Sequence, residues 1–152
     1  MTIYLAQHGK SLSEDLDPLR GLAPEGITET QQIAQLVKQQ GLVLDQIYHS
    51  GKNRAAQTAQ IFADYLQPLQ GIAPINGINP MDDVQILALD LKAYDKTLFV
   101  GHLPYLEKLV SLLTVGDPIH PVLKFQNSAI VCLVPRLNNE LWQLKWALVP
   151  HL

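Results

Sequence analysis

The stretch Thr97-Leu98-Phe99-Val100-Gly101-His102-Leu103-Pro104 decides how this chain reads. Thr97 to Val100 is apolar throughout, as expected of a strand buried on both faces in a parallel sheet. Pro104 fits the first turn of a helix over Tyr105–Leu113, where proline gives up only a donor that would have no acceptor. His102 stands at the joint, beside the outward-pointing donors of that turn.

Working outward, strand-like and helix-like segments alternate. Thr2–Ala6 reads as a strand. After a polar loop from Ser11 to Glu25, Ile27–Gln40 puts Ile33, Leu36 and Val37 on one helical face, with Gly41 where a C-cap belongs. Gln46–His49 is a second short strand. Asn53–Leu66 is a helix with an apolar stripe of Ala55, Ala56, Ala59, Ile61, Phe62 and Leu66. Pro68 to Pro80 breaks into a loop with room for one short strand. Asp82 or Asp83 caps a third helix reaching about Ala93. Ser128–Val134 and Leu141–Val149 read as two strands joined through Asn138-Asn139. The expectation is an α/β fold: three α/β/α layers, a mostly parallel central sheet and an antiparallel edge.

The chain has 152 residues, 47% of them hydrophobic and 16% charged, which excludes a disordered chain and suits one domain over residues 1–152. Eleven Lys and Arg face fourteen Asp and Glu with no basic run, so a nucleic-acid partner is not expected. Cys132 is the single cysteine and sits in an apolar run, which suits a buried thiol and leaves no internal disulfide. Met1 to Gln7 lack the basic start of a secretory signal, and no apolar segment is long enough to span a membrane. A soluble cytoplasmic domain, monomeric or weakly oligomeric, is expected.

Ligands of such folds gather beyond the carboxyl ends of the strands. His8-Gly9 follows the first strand. A neutral imidazole there can attack phosphorus if a carbonyl holds its second nitrogen. Taken singly, His8 and His102 are each explained by simply ending a strand, and they converge only if their strands are neighbours. Arg54, one of three arginines, opens an alanine-rich helix where the dipole disfavours a cation, so a bound phosphate or plain solvation accounts for it equally. Arg20 lies in the first long loop.

Together these positions resemble the histidine phosphatase superfamily with its phosphoglycerate mutase-like fold, and in particular the SixA-type phosphohistidine phosphatases. Gln7-His8-Gly9 is similar to the family's Arg-His-Gly. Arg20 with Leu22-Ala23-Pro24-Glu25-Gly26 resembles an arginine followed by Leu-Thr-x-x-Gly. Ser50-Gly51-Lys52-Asn53-Arg54-Ala55-Ala56-Gln57-Thr58 resembles Ser-Pro-x-x-Arg-Ala-x-Gln-Thr. Gly101 to Pro104 matches Gly-His-Leu-Pro outright, and Ser128-Ala129-Ile130 resembles a late Ser-Ala-Ile stretch. The motifs run in family order from Ile3 to about Trp146. The resemblance implies that His8 is the nucleophile, transiently phosphorylated, while Arg20, Arg54 and His102 hold the equatorial oxygens. It further implies phosphate contacts from Gln7, Gly9, Ser11, Leu103 and Ser128. It implies no cofactor and no metal, and His49, His120 and His151 are scattered in sequence.

Two departures matter. Gln7 replaces the usual arginine, as in a variant branch carrying Gln-His-Gly, and brings neither charge nor a five-donor fork. Many members also place a glutamate acid after the third strand, whereas Ile75-Asn76-Gly77-Ile78-Asn79-Pro80 has no carboxylate, and helix capping accounts for Asp82 and Asp83. An alkoxide leaving group needs a proton donor, but imidazole, with a pKa of about 6.5, leaves more easily. The expected activity is therefore removal of phosphate from a phosphorylated histidine of a partner protein such as a phosphotransfer domain. Lys10, Lys52 and Lys124 would border the site. The alternatives are a phosphate-binding module without turnover and a small-molecule phosphomonoesterase.

Overall fold

The computed structural model describes residues 1–152. In chain order the elements are β1 (Ile3–Gln7), α1 (Pro24–Gln39), β2 (Gln46–His49), α2 (Asn53–Leu66), β3 (Ile72–Pro74), α3 (Val84–Asp90), a 3₁₀ turn (Leu91–Ala93), β4 (Thr97–Gly101), α4 (Tyr105–Val115), β5 (Ile130–Pro135) and β6 (Trp142–Leu148). The six strands form one sheet in the order β3-β2-β4-β1-β5-β6. β3, β2, β4 and β1 are parallel, and β5 runs antiparallel to both β1 and β6. The expected parallel centre with an antiparallel edge is what forms.

Side-chain alternation along β1 divides the core in two. Ile3 and Leu5 join Phe99 in packing against Leu87 of α3 and Leu106 and Leu109 of α4. Tyr4 and Ala6 point the other way, with Ile47, Leu98 and Val100, onto Ile33 and Val37 of α1 and Ala59 and Phe62 of α2. Two helices therefore cover each face, completing the three layers. Cys132 is buried with a free thiol, as expected. No helix is long and apolar enough to cross a membrane.

Most element boundaries follow the sequence signals. α1 is the main shift, starting at Pro24 rather than Ile27 because proline occupies its first turn. It ends in a Schellman arrangement: Gly41, at φ 79°, donates from N–H to Lys38 O, and Leu42 N–H donates to Val37 O. Pro104 precedes α4 as its N-cap rather than lying inside the first turn. β5 begins at Ile130, two residues later than the pattern suggests, because Ser128 turns at φ 66°. Asp83 caps α3 by accepting from Gln85 N–H, and Asp82 accepts from Asn79 N–H, so both carboxylates hold local turns.

α1 packs directly on the loop after β1. Ala23 N–H donates to Lys10 O, and a Cβ on Gly26 would overlap that same carbonyl oxygen. Both sides of the contact are backbone, so neither can rotate away. Gly26→Ala is expected to cost about 1–3 kcal/mol. The check is a urea melt with a lowered midpoint and an unchanged slope.

Candidate active site

Neighbouring strands bring the two histidines together. In the β1–β4 register Gln7 pairs with Gly101, so His8 and His102 leave adjacent strand ends side by side. His8 N–H donates to Gly101 O at 3.0 Å, and the ring centroids lie 5.0 Å apart, tilted by 49°. His8 Nδ1 lies 2.7 Å from Gly9 O. A carbonyl can only accept, so Nδ1 carries the proton and Nε2 keeps a free lone pair. Burial lowers the His8 pKa to about 4, with Arg54 and Arg20 adding to the effect against the Gly9 hydrogen bond. Burial, then His8, Arg54, Lys52 and Arg20, lower that of His102 to about 3. Both rings are therefore neutral bases at pH 7.

Helix α2 arranges three side chains of its first turns on one face. Thr58 Oγ1 accepts from Gly9 N–H at 2.9 Å and donates to Arg54 O at 2.8 Å. Gln57 Oε1 accepts from Leu22 N–H at 2.6 Å, tying down the loop that bears Arg20. Arg54 itself shares an open cleft with Glu14, Arg20 and Lys52. Its Nε is buried with no hydrogen-bond partner in the chain. Burial and then the Arg20 charge lower the Arg54 pKa, which places two like charges close together. An anion between them relieves that repulsion. Arg20 is held at φ 49° by the loop that Asp17 organises through Leu19 N–H and Gly21 N–H. A non-glycine residue in that region stores strain, as residues of functional loops often do.

Not every expected phosphate contact is available. Gly9 gives its N–H to Thr58 and its carbonyl to His8, so it positions the His8 ring and has no donor left. A Cβ there would come within 2.9 Å of Thr30 Oγ1 and 3.0 Å of Gly26 O, which explains the glycine. Ser128 is fully buried. Thr30 spends its hydroxyl proton on Gly26 O, so Ser128 Oγ, 2.8 Å away, must donate to Thr30. It has no proton left for an anion and serves as a buttress. Ser11 Oγ accepts from the Arg20 guanidinium at 3.2 Å, steering that group. Leu103 N–H makes no hydrogen bond within the chain, as suits a donor at the α4 start. Gln7 is 8% exposed, with Oε1 buried and unpartnered. Lys52 lies in the arginine cleft, and Lys124 lines a groove that begins at Leu103. Lys10 is committed elsewhere: its Nζ is 2.7 Å from Glu25 Oε1.

Sequence reasoning missed three positioning contacts. Ser50 Oγ lies 2.5 Å from His102 Nε2 and accepts from Lys52 N–H at 3.3 Å. Asn127 Nδ2 donates to His8 O. Gln57 and Thr58 were visible as motif letters, but their acceptor roles depend on which loops cross the end of α2. His151 is also not isolated, since its Nε2 lies 2.6 Å from Glu29 Oε2.

No protein-family model and no curated protein matches this sequence. Solved structures do match its fold. The structure of the protein histidine phosphatase SixA complexed with tungstate is 24% identical, with TM-score 0.85 over 99% of this chain and 97% of that one. A protein of Agrobacterium tumefaciens assigned as phosphohistidine phosphatase SixA is 24% identical, with TM-score 0.77 over 98% of this chain and 97% of that one. Phosphoserine phosphatase from Entamoeba histolytica, in complex with 3-phosphoglyceric acid, is 18% identical, with TM-score 0.69 over 96% and 95%. The chain thus has the fold of the histidine phosphatases.

The depressed pKa values make two measurable statements. Neither His8 nor His102 should titrate between about pH 5 and pH 8 in histidine-ring NMR spectra of the unliganded protein. Unfolded histidines titrate near 6.5, so between that pH and about 4 the unfolded chain binds protons that the native pair refuses. Stability is therefore expected to fall on acidification through that window, read as a lower urea midpoint at about pH 5 than at pH 7.

Proposed function

We propose that the protein is a phosphatase of the histidine phosphatase type that removes phosphate from a phosphorylated histidine of a partner protein. The observation that carries this reading is the His8–His102 pair, 5.0 Å apart at neighbouring strand ends, with His8 Nδ1 tied to a carbonyl. Arg20 and Arg54 beside it supply a full, permanent positive charge where an oxyanion would sit. Tungstate, bound by the SixA protein of the same fold, is tetrahedral like phosphate.

The step runs as an in-line displacement. The Nε2 lone pair of His8 forms a bond to phosphorus as the bond from phosphorus to the substrate nitrogen breaks. The leaving imidazole takes that electron pair and a proton from solvent. Water then attacks phosphorus, the His8–phosphorus bond breaks, and phosphate departs with His8 neutral again. Arg20, Arg54 and the Leu103 N–H meet the equatorial oxygens. His102 needs a proton on the nitrogen facing the anion, and a bound dianion favours that protonation. Gln7 can add an amide donor.

The preference for nitrogen over oxygen esters rests on the leaving group. Asp83 caps α3 and Asp82 holds the Asn79 turn, so both carboxylates are engaged away from a leaving alkoxide. An open groove of about 620 Å³ runs from Leu103 and Pro104 past Lys108, Ile119 and Val122 to Lys124. Ile119 is 83% exposed there, which suits a protein surface better than a small metabolite. A second reading, a binding module without turnover, is motivated by the neutral Gln7 and by the missing glutamate acid.

Incubation with a phosphohistidine-bearing protein separates the readings. The enzyme places acid-labile phosphate on wild-type His8, loses it on standing, and carries none in His8→Ala. Binding without label or phosphate release supports the module. Efficient hydrolysis of sugar phosphates would overturn the preference for a nitrogen leaving group.

A further inference from the structure

The first turns of α1 carry a second cluster of ligating groups, outside the arginine cleft. One ligand atom from each of Glu25, Glu29 and His151 lies within 4.8 Å of the other two. Glu25 and Glu29 are one helical turn apart on α1, and His151 reaches them from the segment after β6. Glu29 is the unusual member. Its side chain is only 6% exposed, and Oε1 is buried without a hydrogen-bond donor. The nearest charge to that oxygen is Lys10 Nζ at 3.6 Å, too long for a hydrogen bond, while the same ammonium sits 2.7 Å from Glu25 Oε1. Burying a carboxylate with one oxygen unmet is costly unless a cation compensates.

From this geometry we propose that Glu25, Glu29 and His151 bind a divalent transition cation of the zinc type, which displaces the Lys10 ammonium from the two carboxylates. One imidazole nitrogen with two carboxylate oxygens is a donor set for a borderline cation rather than for calcium, which takes oxygen ligands alone. Ligands at about 2.0–2.2 Å from a tetrahedral ion stand about 3.3–3.6 Å apart, so the widest separation, up to 4.8 Å, must close by about 1 Å while His151 Nε2 and Glu29 Oε2, at 2.6 Å, open slightly. Glu25 and His151 have the freedom to move, with side chains 60% and 61% exposed. His151 Nε2 now faces Glu29 Oε2 at 2.6 Å, and the proton between them moves to Nδ1 or to solvent when Nε2 takes the metal. The fourth position is left to water. The site lies behind the loop that follows β1, because Lys10 follows His8 by two residues and its carbonyl is held by Ala23 N–H.

Zinc chloride titrated into the metal-stripped full chain by calorimetry tests the site, with cobalt as the spectroscopic probe. One equivalent is expected to bind, with weak visible bands of a four- or five-coordinate cobalt ion and a raised melting temperature. His151→Ala and Glu29→Gln are each expected to weaken binding by at least about tenfold. Lys10→Ala removes the competing ammonium and is expected to tighten it severalfold, a gain that misfolding cannot produce. His8→Ala is expected to bind zinc as the wild type does. Binding lost in His8→Ala but kept in His151→Ala would place the metal among the other histidines and overturn the proposal. So would a Lys10→Ala protein that binds no tighter, or a wild type that binds no zinc.

Discussion

The pairing of β1 with β4 governs everything at the site. These strands are separated by most of the first hundred residues, yet their register sets Gln7 opposite Gly101. His8 and His102 then emerge from one edge of one sheet, and the His8 N–H closes the last rung onto Gly101 O. A slip of one residue would turn one ring onto the opposite face of the sheet. Such a slip is opposed by the core itself, because it would exchange Ile3 and Leu5 with Tyr4 and Ala6 between two differently packed buried faces. The same burial that stabilises the two-faced core therefore fixes the distance between two imidazoles.

Helix α2 supplies the second constraint. Its early residues act at intervals of three and four: Arg54 enters the cleft, Gln57 holds Leu22, and Thr58 holds Gly9. The Arg20 loop and the His8 loop are thus both measured from one rigid rod. That arrangement brings Arg20 and Arg54 near the half-buried His8 and the buried His102, with Lys52 near His102. Burial is the main reason the rings stay neutral, and the nearby cations add to it. The charges of Arg20 and Arg54, which add to that effect, also attract an oxyanion.

Much of this was readable from the chain. The apolar run at Thr97, the Gly41 stop and the Asn53–Leu66 stripe each follow a local period or cap, and the structure keeps them. His8 and His102 were legible as residues at strand ends, and Arg54 as a cation at the wrong end of a helix. What local signals lack is the identity of the neighbour. Ser128 reads as a polar residue near a strand, but its hydroxyl is spent on Thr30, more than ninety positions away. Lys10 reads as a free cation beside the nucleophile, but Glu25 and Glu29 claim it once α1 folds back over the loop. The contact between Ser50 and His102 depends on the β2–β4 pairing, which no periodicity encodes.

The carboxylates complete the logic of the leaving group. Acid catalysis at an alkoxide requires a carboxyl that still holds its proton near neutrality, and burial away from cations is what raises a carboxyl pKa that far. Around His8 the field does the opposite, because the charges of Arg54 and Arg20 favour the ionised form of a carboxyl. Asp82 and Asp83 are withdrawn to their caps, and Glu29 is held behind the loop with His151. Glu14 shares the arginine cleft and is exposed. Under the proposed reading such a cleft holds phosphate, while none of these carboxyls is held ready to protonate a leaving oxygen. In the phosphohistidine reading it needs none, because an imidazole can accept its proton from solvent as it departs.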